Sequence, residues 1–594
     1  MEFEQKAEEK KMSMSKNVAR LAVTAGLTAA LSFGGVMAPV TMAFADGTPT
    51  VATDGNVKID EKTYKDTTFK GIQIFKAKVT QDYDGSAWSG DKTLSDIDWA
   101  SPDVMSVVTS AFAGVAEAPA ANAGAQAWAK YIKDNAGNKV GQTAKVDAGS
   151  TLDKIAAALE GSTLTWTNPG DSSKGDFKAL NTGYWLFVTA NVGSTTSSDS
   201  ANGNTDAYTS PIFTVVGGED VKAEPKKDVP NVTKAVKDDA ADGTFGTFEN
   251  PSKAADSQMG DYVDYLLTGT VASNINTYST YKYTFTDELP KSMTPKFKDG
   301  STTPDVTVKI GDTEVKTDCY TAKYVNDKIT VDFTDLKSCT DESGNSIVLN
   351  SGSKVTVEYK AKLDSTKIFE NGKIKDEFKG LVGKAQKNKV TLTYSNNPHA
   401  EGVGTTVEHP AYDYTYGIDV TKVGSDDETK GLKGVEFTLQ EQGDTNKFIM
   451  ANGVKTTDEA KAKLTTDDSG KLNVVGLDEG TYVLTEVTPA PGYNNSAANG
   501  VTFTIKRDLN QNGDDVTPSA DSAINAANGV VKNNSATAST GKLSFIIVDQ
   551  QGSSLPLTGL NGVTFTWIAG GAVLCIGVVH LIRSRKQAEE SEQE

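Results

Sequence analysis

Two lysines stand at positions of predicted β-strands where a buried apolar side chain is expected. In "NVTKAVKD", Lys234 alternates with Val232 and Val236, and in "YGIDVTKV", Lys422 follows Val420 with the same spacing. Because alternate residues of a strand share one face, both lysines point toward the predicted core. Burial of an unpaired ammonium is costly, so we expect a lowered pKa and a neutral amine. A neutral lysine amine is a nucleophile.

The same alternation places carbonyl and acid groups on the inward faces. "KVTLTYSNNP" carries Asn396 inward, in preference to Asn397, and "KLSFIIVDQQ" carries Asp549 inward. Asp287 and Glu486 occupy inward positions of strands in the middle of the same two segments. A buried acid beside an amine and a carboxyl derivative can promote amide formation by proximity and proton transfer. The alternatives are ordinary buried salt bridges or strand-end residues that face water, but two coincident triplets are hard to explain by chance.

A third reactive feature is the sequence Leu555-Pro556-Leu557-Thr558-Gly559 near the end of the chain. The proline favours an extended bend, and the glycine leaves the preceding peptide bond open to close approach. These five residues alone are a weak signal, and their meaning depends on the segments around them.

Both ends of the chain carry apolar segments with basic flanks. Within residues 1–45, four basic residues from Lys10 to Arg20 precede an apolar run that closes on Ala43-Phe44-Ala45, which predicts a secretory signal peptide. From Val563 to Ile582 there is no charged residue, and this length can cross a bilayer. The basic residues that follow, from Arg583, keep the tail on the cytoplasmic side. We therefore expect the rest of the chain to lie outside the cell.

Composition excludes several classes of function. The net charge of −19 over 594 residues argues against nucleic-acid binding. Outside the apolar span the only cysteines are Cys319 and Cys339, for which an exported setting predicts one disulfide, with two free buried thiols as the alternative. No metal site, catalytic triad or cofactor is predicted. The three histidines, too scattered for a zinc site, are His399, His409 and His580.

Short alternating runs rich in Val, Thr, Tyr and Ile, separated by Gly, Asn, Asp and Ser clusters, predict an all-β chain of sandwich domains. The first domain also has helical patterns, one capped by Ser150 or Thr151 and one in "AGAQAWAKYIKDN". The predicted segments are a signal peptide 1–45, an N-terminal domain 46–222, a linker 223–230, a middle domain 231–410, a C-terminal domain 411–552 and a terminal segment 553–594.

The two triplets resemble the intramolecular isopeptide domains of Gram-positive pilins and Cna B-type repeats. "GTYVLTEVTPAPGY" is similar to the E-box of that family, and "KVTLTYSNNP" is similar to the segment that closes the middle domain of backbone pilins. The resemblance implies tandem immunoglobulin-like or Cna B-type sandwiches with autocatalytic Lys–Asn and Lys–Asp bonds. The implied bonds are Lys234 to Asn396, assisted by Asp287, and Lys422 to Asp549, assisted by Glu486.

The signal peptide, the Leu-Pro-Leu-Thr-Gly motif, the apolar span and the basic tail together resemble the cell-wall sorting signal of Gram-positive surface proteins. In that family a sortase cuts after the threonine, here Thr558, and transfers its carbonyl to an amine. The linker sequence "VKAEPKK" resembles the pilin motif of backbone pilins, with Glu224 in place of its tyrosine. This implies Lys226, or alternatively Lys227, as the acceptor amine. A charged linker with solvated lysines is the other interpretation.

The sequence therefore predicts a structural protein and not an enzyme: the backbone subunit of a sortase-assembled pilus, anchored to the cell wall. The partners implied are sortases, identical subunits, peptidoglycan, minor or tip pilins and host surface ligands. The alternative is a monomeric wall-anchored adhesin that binds a host ligand through its N-terminal domain.

Overall fold

Alternating apolar residues and turn-forming clusters build a chain that is mainly β-sheet. The computed structural model describes residues 32–33, 48–64, 66–137, 139–140, 143–144, 146–170, 174–193, 203–239, 243–512, 515–525, 530–537 and 541–552. The predicted all-β class, with helices near the start of the chain, is confirmed. The signal peptide (except Ser32 and Phe33), the Leu-Pro-Leu-Thr-Gly motif and the apolar span lie outside these residues. No helix within the described ranges is long and apolar enough to cross a membrane.

Buried apolar side chains form separate clusters along the chain. We name three units after them: the N-terminal unit (48–223), the middle unit (232–414) and the C-terminal unit (416–552). Each unit is built around two sheets whose inner faces supply the buried residues.

The N-terminal unit has a central sheet covered on both faces. Its order is β1-β5-β4-β9-β10, with β2 beside β4, and β11-β3-β8 form the second sheet. Strand β9 is apolar almost throughout because the small sheet covers one face and the helices cover the other. Ser150 Oγ accepts the Asp153 N–H at 3.3 Å and so caps α3. The elements up to the linker are β1 Ser32–Phe33, β2 Thr48–Val51, β3 Gly55–Ile59, β4 Thr68–Tyr83, β5 Trp88–Trp99, α1 Pro102–Ser110, α2 Ala125–Asp134, β6 Lys139–Val140, β7 Thr143–Ala144, α3 Thr151–Glu160, β8 Asp176–Leu180, β9 Gly183–Asn191, β10 Ile212–Val216 and β11 Val221–Ala223.

The middle unit is a sandwich of two sheets. Its elements are β12 Val232–Lys237, β13 Ala254–Asp256, β14 Val263–Thr270, β15 Tyr283–Glu288, β16 Met293–Pro295, β17 Val306–Ile310, β18 Thr313–Glu314, β19 Thr321–Val325, β20 Lys328–Phe333, β21 Lys354–Leu363, α4 Ser365–Ile368, β22 Phe369–Glu370, β23 Lys373–Ile374, β24 Gln386–Ser395, β25 Val403–Thr405 and β26 His409–Tyr414, with short 3-10 turns at Ile275–Thr277, Leu336–Ser338 and Asp376–Phe378. One sheet has the order β12-β14-β21-β17-β18 and the other β13-β26-β24-β15-β20-β19. The first strand and the long late strand β24 therefore lie in different sheets.

The two cysteines of the middle unit are free thiols, contrary to the predicted disulfide. Cys319 Sγ accepts the Thr340 N–H at 3.2 Å, and the Cys339 thiol donates to the Asp335 carbonyl at 3.9 Å. Burial, together with the neighbouring Cys319, raises the pKa of the Cys339 thiol. Because Thr340 directly follows Cys339, the two thiols lie near each other without being joined.

The C-terminal unit is a smaller sandwich with sheet orders β32-β27-β37-β36 and β31-β28-β33-β34-β35. Its first strand, β27, pairs in parallel with its last, β37, so the two ends of the unit are neighbours. The strands are β27 Tyr416–Gly424, β28 Glu436–Glu441, β29 Phe448–Ile449, β30 Lys455–Thr456, β31 Leu464–Thr465, β32 Lys471–Leu477, β33 Gly480–Thr488, β34 Val501–Asn512, β35 Asp515–Asn525, β36 Val531–Thr537 and β37 Lys542–Asp549.

Buried carboxyl groups gather where the middle and C-terminal units meet. Asp256 and Asp413 belong to the middle unit and Asp478 to the C-terminal unit, and all three are buried. Burial raises the pKa of Asp413 to about 8, and burial with the nearby Asp478 raises that of Asp256 to about 10. These two carboxyl groups are therefore mainly protonated at pH 7, which avoids an uncompensated buried charge.

His399 of the middle unit contacts helix α3 of the N-terminal unit near both ends of the helix. His399 Nε2 lies 2.8 Å from Asp153 Oδ1, and its Nδ1 bonds to Glu160. Burial alone would lower the pKa of His399, but the hydrogen bonds to the two carboxylates outweigh it and raise the pKa to about 9. The imidazole is therefore a cation at neutral pH and ties α3 to the middle unit.

We expect His399→Gln to destabilise the chain more at pH 6.5 than at pH 10. The folded-state pKa lies above the unfolded value of roughly 6.5, so the stabilisation is complete below that pH and is lost as the pH rises through about 9. The shift corresponds to about 3 kcal/mol. Thermal melts of both chains across this range measure the difference, and a difference that does not shrink with rising pH would contradict the imidazolium contact.

Candidate functional site

Lys234 is buried in the middle unit with three polar side chains around it. Strand β12 alternates, so Val232, Lys234 and Val236 all face the core. The Lys234 ammonium pairs with Asp287 of β15 in the opposite sheet and lies 2.9 Å from the Tyr359 hydroxyl of β21. The site therefore bridges the two sheets of the sandwich.

Desolvation decides the charge states at this site. Burial lowers the pKa of Lys234 to about 8, although Asp287 opposes the shift. Burial also raises the pKa of Asp287, against the effect of Lys234. Both shifts move the pair toward a neutral amine beside a protonated acid, which is the form in which the amine is a nucleophile.

The structure does not bring Asn396 to Lys234, so the choice of Asn396 from the sequence is corrected. Asn396 follows the end of β24, and its Nδ2 donates to the Asp206 carbonyl of the N-terminal unit at 3.1 Å. The carboxamide that reaches the Lys234 site is Asn388, at the start of the same strand. Its Nδ2 lies 2.7 Å from the Tyr359 hydroxyl.

Asn388 has the same strand parity as Asn396 but lies eight positions earlier, which is roughly 26 Å along an extended strand. It is fully buried, and its Oδ1 has no hydrogen-bond partner within the described part of the chain. The sequence signal was present, because Asn388 is a polar residue in the inward series of Val390 and Leu392. Alternation alone could not say which asparagine lies opposite the lysine.

The second site, in the C-terminal unit, contains the three residues that the sequence places together. Lys422 of β27 pairs with Asp549 of β37 in the same sheet, and its Nζ lies 2.9 Å from Glu486 Oε2 of β33 in the facing sheet. All three side chains have no exposed surface. Because β27 and β37 are parallel neighbours, the first and last strands meet at this cluster.

Glu486, the acid of the second site, has a pKa close to neutral pH. Burial raises the pKa of Glu486 to about 7, and the nearby Asp549 carboxyl adds to the rise while Lys422 opposes it. The ring of Phe437 lies 5.9 Å from the Lys422 ammonium and keeps that side of the site apolar. Two carboxyl groups around one ammonium leave one carboxyl in excess, which favours a shared proton.

The two linker lysines have different surroundings. Lys227 Nζ pairs with Asp206 and lies 2.6 Å from Glu61 Oε2, and its side chain is 7% exposed. Lys226 is exposed, although neighbouring chain segments partly desolvate its ammonium and lower its pKa. The backbone of Lys226 is held by the Thr209 hydroxyl, which accepts its N–H at 2.8 Å. Of the two amines, Lys226 is the one open to another protein.

The described residues contain no group of three His, Cys, Asp or Glu side chains that could hold a metal ion.

Part of the C-terminal unit is similar to a known class of domain. Residues 417–517 match the family model described as SpaA, a prealbumin-like fold domain. This range includes Lys422 and Glu486 and ends before Asp549. No curated protein matches the chain.

Several solved structures are similar in fold. The T6 backbone pilin of serotype M6 Streptococcus pyogenes is 15% identical, covers 84% of this chain and 98% of its own, and gives a TM-score of 0.47. The full-length major pilin SpaD from Corynebacterium diphtheriae is 17% identical, with 75% and 88% covered and a TM-score of 0.38. The pilus 2b backbone protein of group B streptococcus is 21% identical, with 51% and 97% covered and a TM-score of 0.34.

We expect Asp287→Ala to destabilise the middle unit by about 3–5 kcal/mol, because it leaves a buried lysine without its carboxylate. A matched control is Asp305→Ala, which removes the partner of Lys296 in a half-exposed pair at 3.0 Å. That change should cost at most about 1 kcal/mol. Urea unfolding of the two variants measures both values, and equal effects would show that the buried pair has no special importance.

Proposed function

We propose that this chain is the repeating backbone subunit of a covalently assembled surface pilus, with internal Lys–Asn and Lys–Asp amide bonds. The observation that carries the proposal is the cluster of Lys422, Glu486 and Asp549, buried together in a SpaA-type domain. An independent cluster around Lys234 has an acid and a carboxamide beside the lysine. On this proposal the protein is structural and not an enzyme.

In the middle unit, the neutral Lys234 amine attacks Cγ of Asn388, and ammonia leaves. Asp287 supports the reaction because its raised pKa lets it hold the proton that the lysine gives up. Packing holds the groups together in the absence of competing water, which supplies most of the acceleration. No separate catalyst is required.

In the C-terminal unit, Lys422 attacks Cγ of Asp549, and water leaves. Glu486, with a pKa near 7, can both give and accept a proton under physiological conditions. Its carboxyl lies 2.9 Å from the lysine and beside the Asp549 carboxyl. Glu486 is therefore placed to act on the amine and on the departing hydroxyl.

Each bond would join the first strand of its unit to a late strand, β12 to β24 and β27 to β37. By analogy with disulfides that close loops of ~100 residues or more, each would stabilise its unit by about 5 kcal/mol. Tension entering at one end of a unit would then pass through a covalent bond, and the sandwich would not need to unfold.

Assembly between subunits would use Thr558 and Lys226. A sortase would form an acyl-enzyme at Thr558, and the Lys226 amine of the next subunit would displace it. The exposure of Lys226, against the buried ion pairs of Lys227, supports this choice of acceptor. A final transfer to peptidoglycan would anchor the fibre, with minor or tip pilins and host surface ligands as further partners.

We expect tryptic digestion of the chain purified from cells to yield two branched peptides. One joins Lys234 to Asn388 and is about 17 Da lighter than its parts, and the other joins Lys422 to Asp549 and is about 18 Da lighter. Asn388→Ala should remove the first peptide, whereas Asn396→Ala, the matched control, should keep it. Loss of the peptide in Asn396→Ala but not in Asn388→Ala would reverse our assignment.

We expect cell-wall extracts of the native host to give a ladder of subunit multiples on a denaturing gel. Lys226→Arg should abolish the ladder, because a guanidinium does not replace the amine as acceptor. Lys227→Arg keeps the charge beside Glu61 and Asp206 and should leave the ladder intact. A single discrete band from the wild-type chain would instead support a monomeric wall-anchored adhesin.

A further inference from the structure

The hydroxyl of Tyr359 contacts every polar group of the middle site. Its Oη lies 2.9 Å from Lys234 Nζ and 2.7 Å from Asn388 Nδ2, and it donates a hydrogen bond to Asp287. The two nitrogens are the entering and leaving atoms of the proposed amide formation. One oxygen atom therefore bonds to the nucleophile, the leaving group and the acid together.

The position of this hydroxyl is fixed by the sandwich. Tyr359 lies in the middle of β21, with Tyr265 of β14 and Val306 of β17 as its neighbours in register. Its ring stacks on that of Tyr265 at 5.3 Å and 14° and is only 2% exposed. The Lys234 ammonium lies 5.3 Å from the Tyr359 ring centroid and 5.0 Å from that of Tyr265. Rotation of the ring away from the site would require the core to open.

We propose that Tyr359 is a catalytic residue of the Lys234–Asn388 reaction and relays a proton from the lysine nitrogen to the leaving nitrogen. This inference rests on the proposed internal bond. It assigns to Tyr359 a task that Asp287 is not placed to perform alone, because Asp287 contacts the lysine and the tyrosine, whereas the tyrosine contacts both nitrogens.

The steps balance without a further reactant. The neutral Nζ attacks Cγ of Asn388, so that one N–C bond forms and the carbonyl oxygen takes the electron pair. Tyr359 Oη accepts the extra proton of Nζ, and its own proton turns from Asp287 to Nδ2, whose lone pair becomes free once Cγ is tetrahedral. The C–Nδ2 bond then breaks, the carbonyl re-forms and neutral ammonia leaves. Tyr359 ends with the same number of protons as it had at the start.

A relay is needed because an amide nitrogen is a poor leaving group until it is protonated. Direct transfer between two nitrogens on one carbon requires a strained four-membered arrangement, which a hydroxyl within hydrogen-bond distance of both nitrogens avoids. Burial raises the pKa of Tyr359 well above its usual range, so the phenol stays protonated and does not act as a free base.

The second site supplies an internal control. Within the described residues no tyrosine is hydrogen-bonded to Lys422, Glu486 or Asp549, and the aromatic ring that faces the Lys422 ammonium is that of Phe437. There Glu486 itself lies beside both the amine and the carboxyl that must lose water. The Lys422–Asp549 bond should therefore form without help from a tyrosine.

The test is a time course of both bonds in the full chain made by cell-free synthesis, with tryptic peptides quantified by mass spectrometry. Tyr359→Phe should slow the Lys234–Asn388 bond by ~100-fold or more and leave the Lys422–Asp549 bond unchanged. Tyr283→Phe is the matched control, because it removes another buried hydroxyl, one that donates to the Thr270 carbonyl at 2.7 Å. Its effect on either bond should be small.

A second variant keeps the test decisive if Tyr359→Phe does not fold. Fluorinated tyrosines placed at position 359 preserve the shape of the ring and change the acidity of the phenol, so the rate should vary with that acidity. A wild-type rate in Tyr359→Phe, or a rate independent of phenol acidity, would overturn the relay. Absence of the 234–388 peptide from the wild-type chain would instead refute the proposed internal bond.

Discussion

The desolvation of two lysine ammonium groups is the constraint on which this architecture depends. A sandwich core accepts a lysine only if an acid lies beside it or if the proton moves to that acid. Lys234 and Lys422 each meet this condition, with Asp287 in one unit and Glu486 with Asp549 in the other. Burial raises the free energy of the charged ammonium and so favours the neutral amine, which is the nucleophilic form. The cost of burying each lysine and its reactivity therefore have the same cause.

The two sites meet this condition with different geometry. In the middle unit the lysine and its carboxamide belong to different sheets, and the Tyr359 hydroxyl spans the space between them. In the C-terminal unit the lysine and Asp549 belong to adjacent parallel strands, and the acid comes from the facing sheet. A bond in the first would join the two sheets, whereas a bond in the second would join two strands of one sheet.

Contacts between units use charged groups that are likewise removed from water. His399 is held between Asp153 and Glu160, and Lys227 is held by Asp206 and Glu61. Asn396 belongs to this group of contacts, since its amide binds the Asp206 backbone. His399 and Asn396 join the N-terminal and middle units, and Lys227 joins the linker to the N-terminal unit. Lys226 stays exposed beside them. On the proposed function, such contacts would pass force from one unit to the next.

Strand alternation in the sequence was sufficient to identify Lys234, Asp287, Lys422, Glu486 and Asp549 as inward-facing, because the direction of a side chain depends only on parity along its own strand. Alternation with turn-forming clusters also predicted the all-β class, and helical patterns with a capping residue predicted helices in the first unit. It could not distinguish Asn388 from Asn396, which have equal parity, nor separate Tyr359 from an ordinary core aromatic. Those distinctions depend on the register of each strand against its neighbours and on how one sheet packs against the other. Only the tertiary structure determines that register, because contacts between sheets are made by residues distant in the chain.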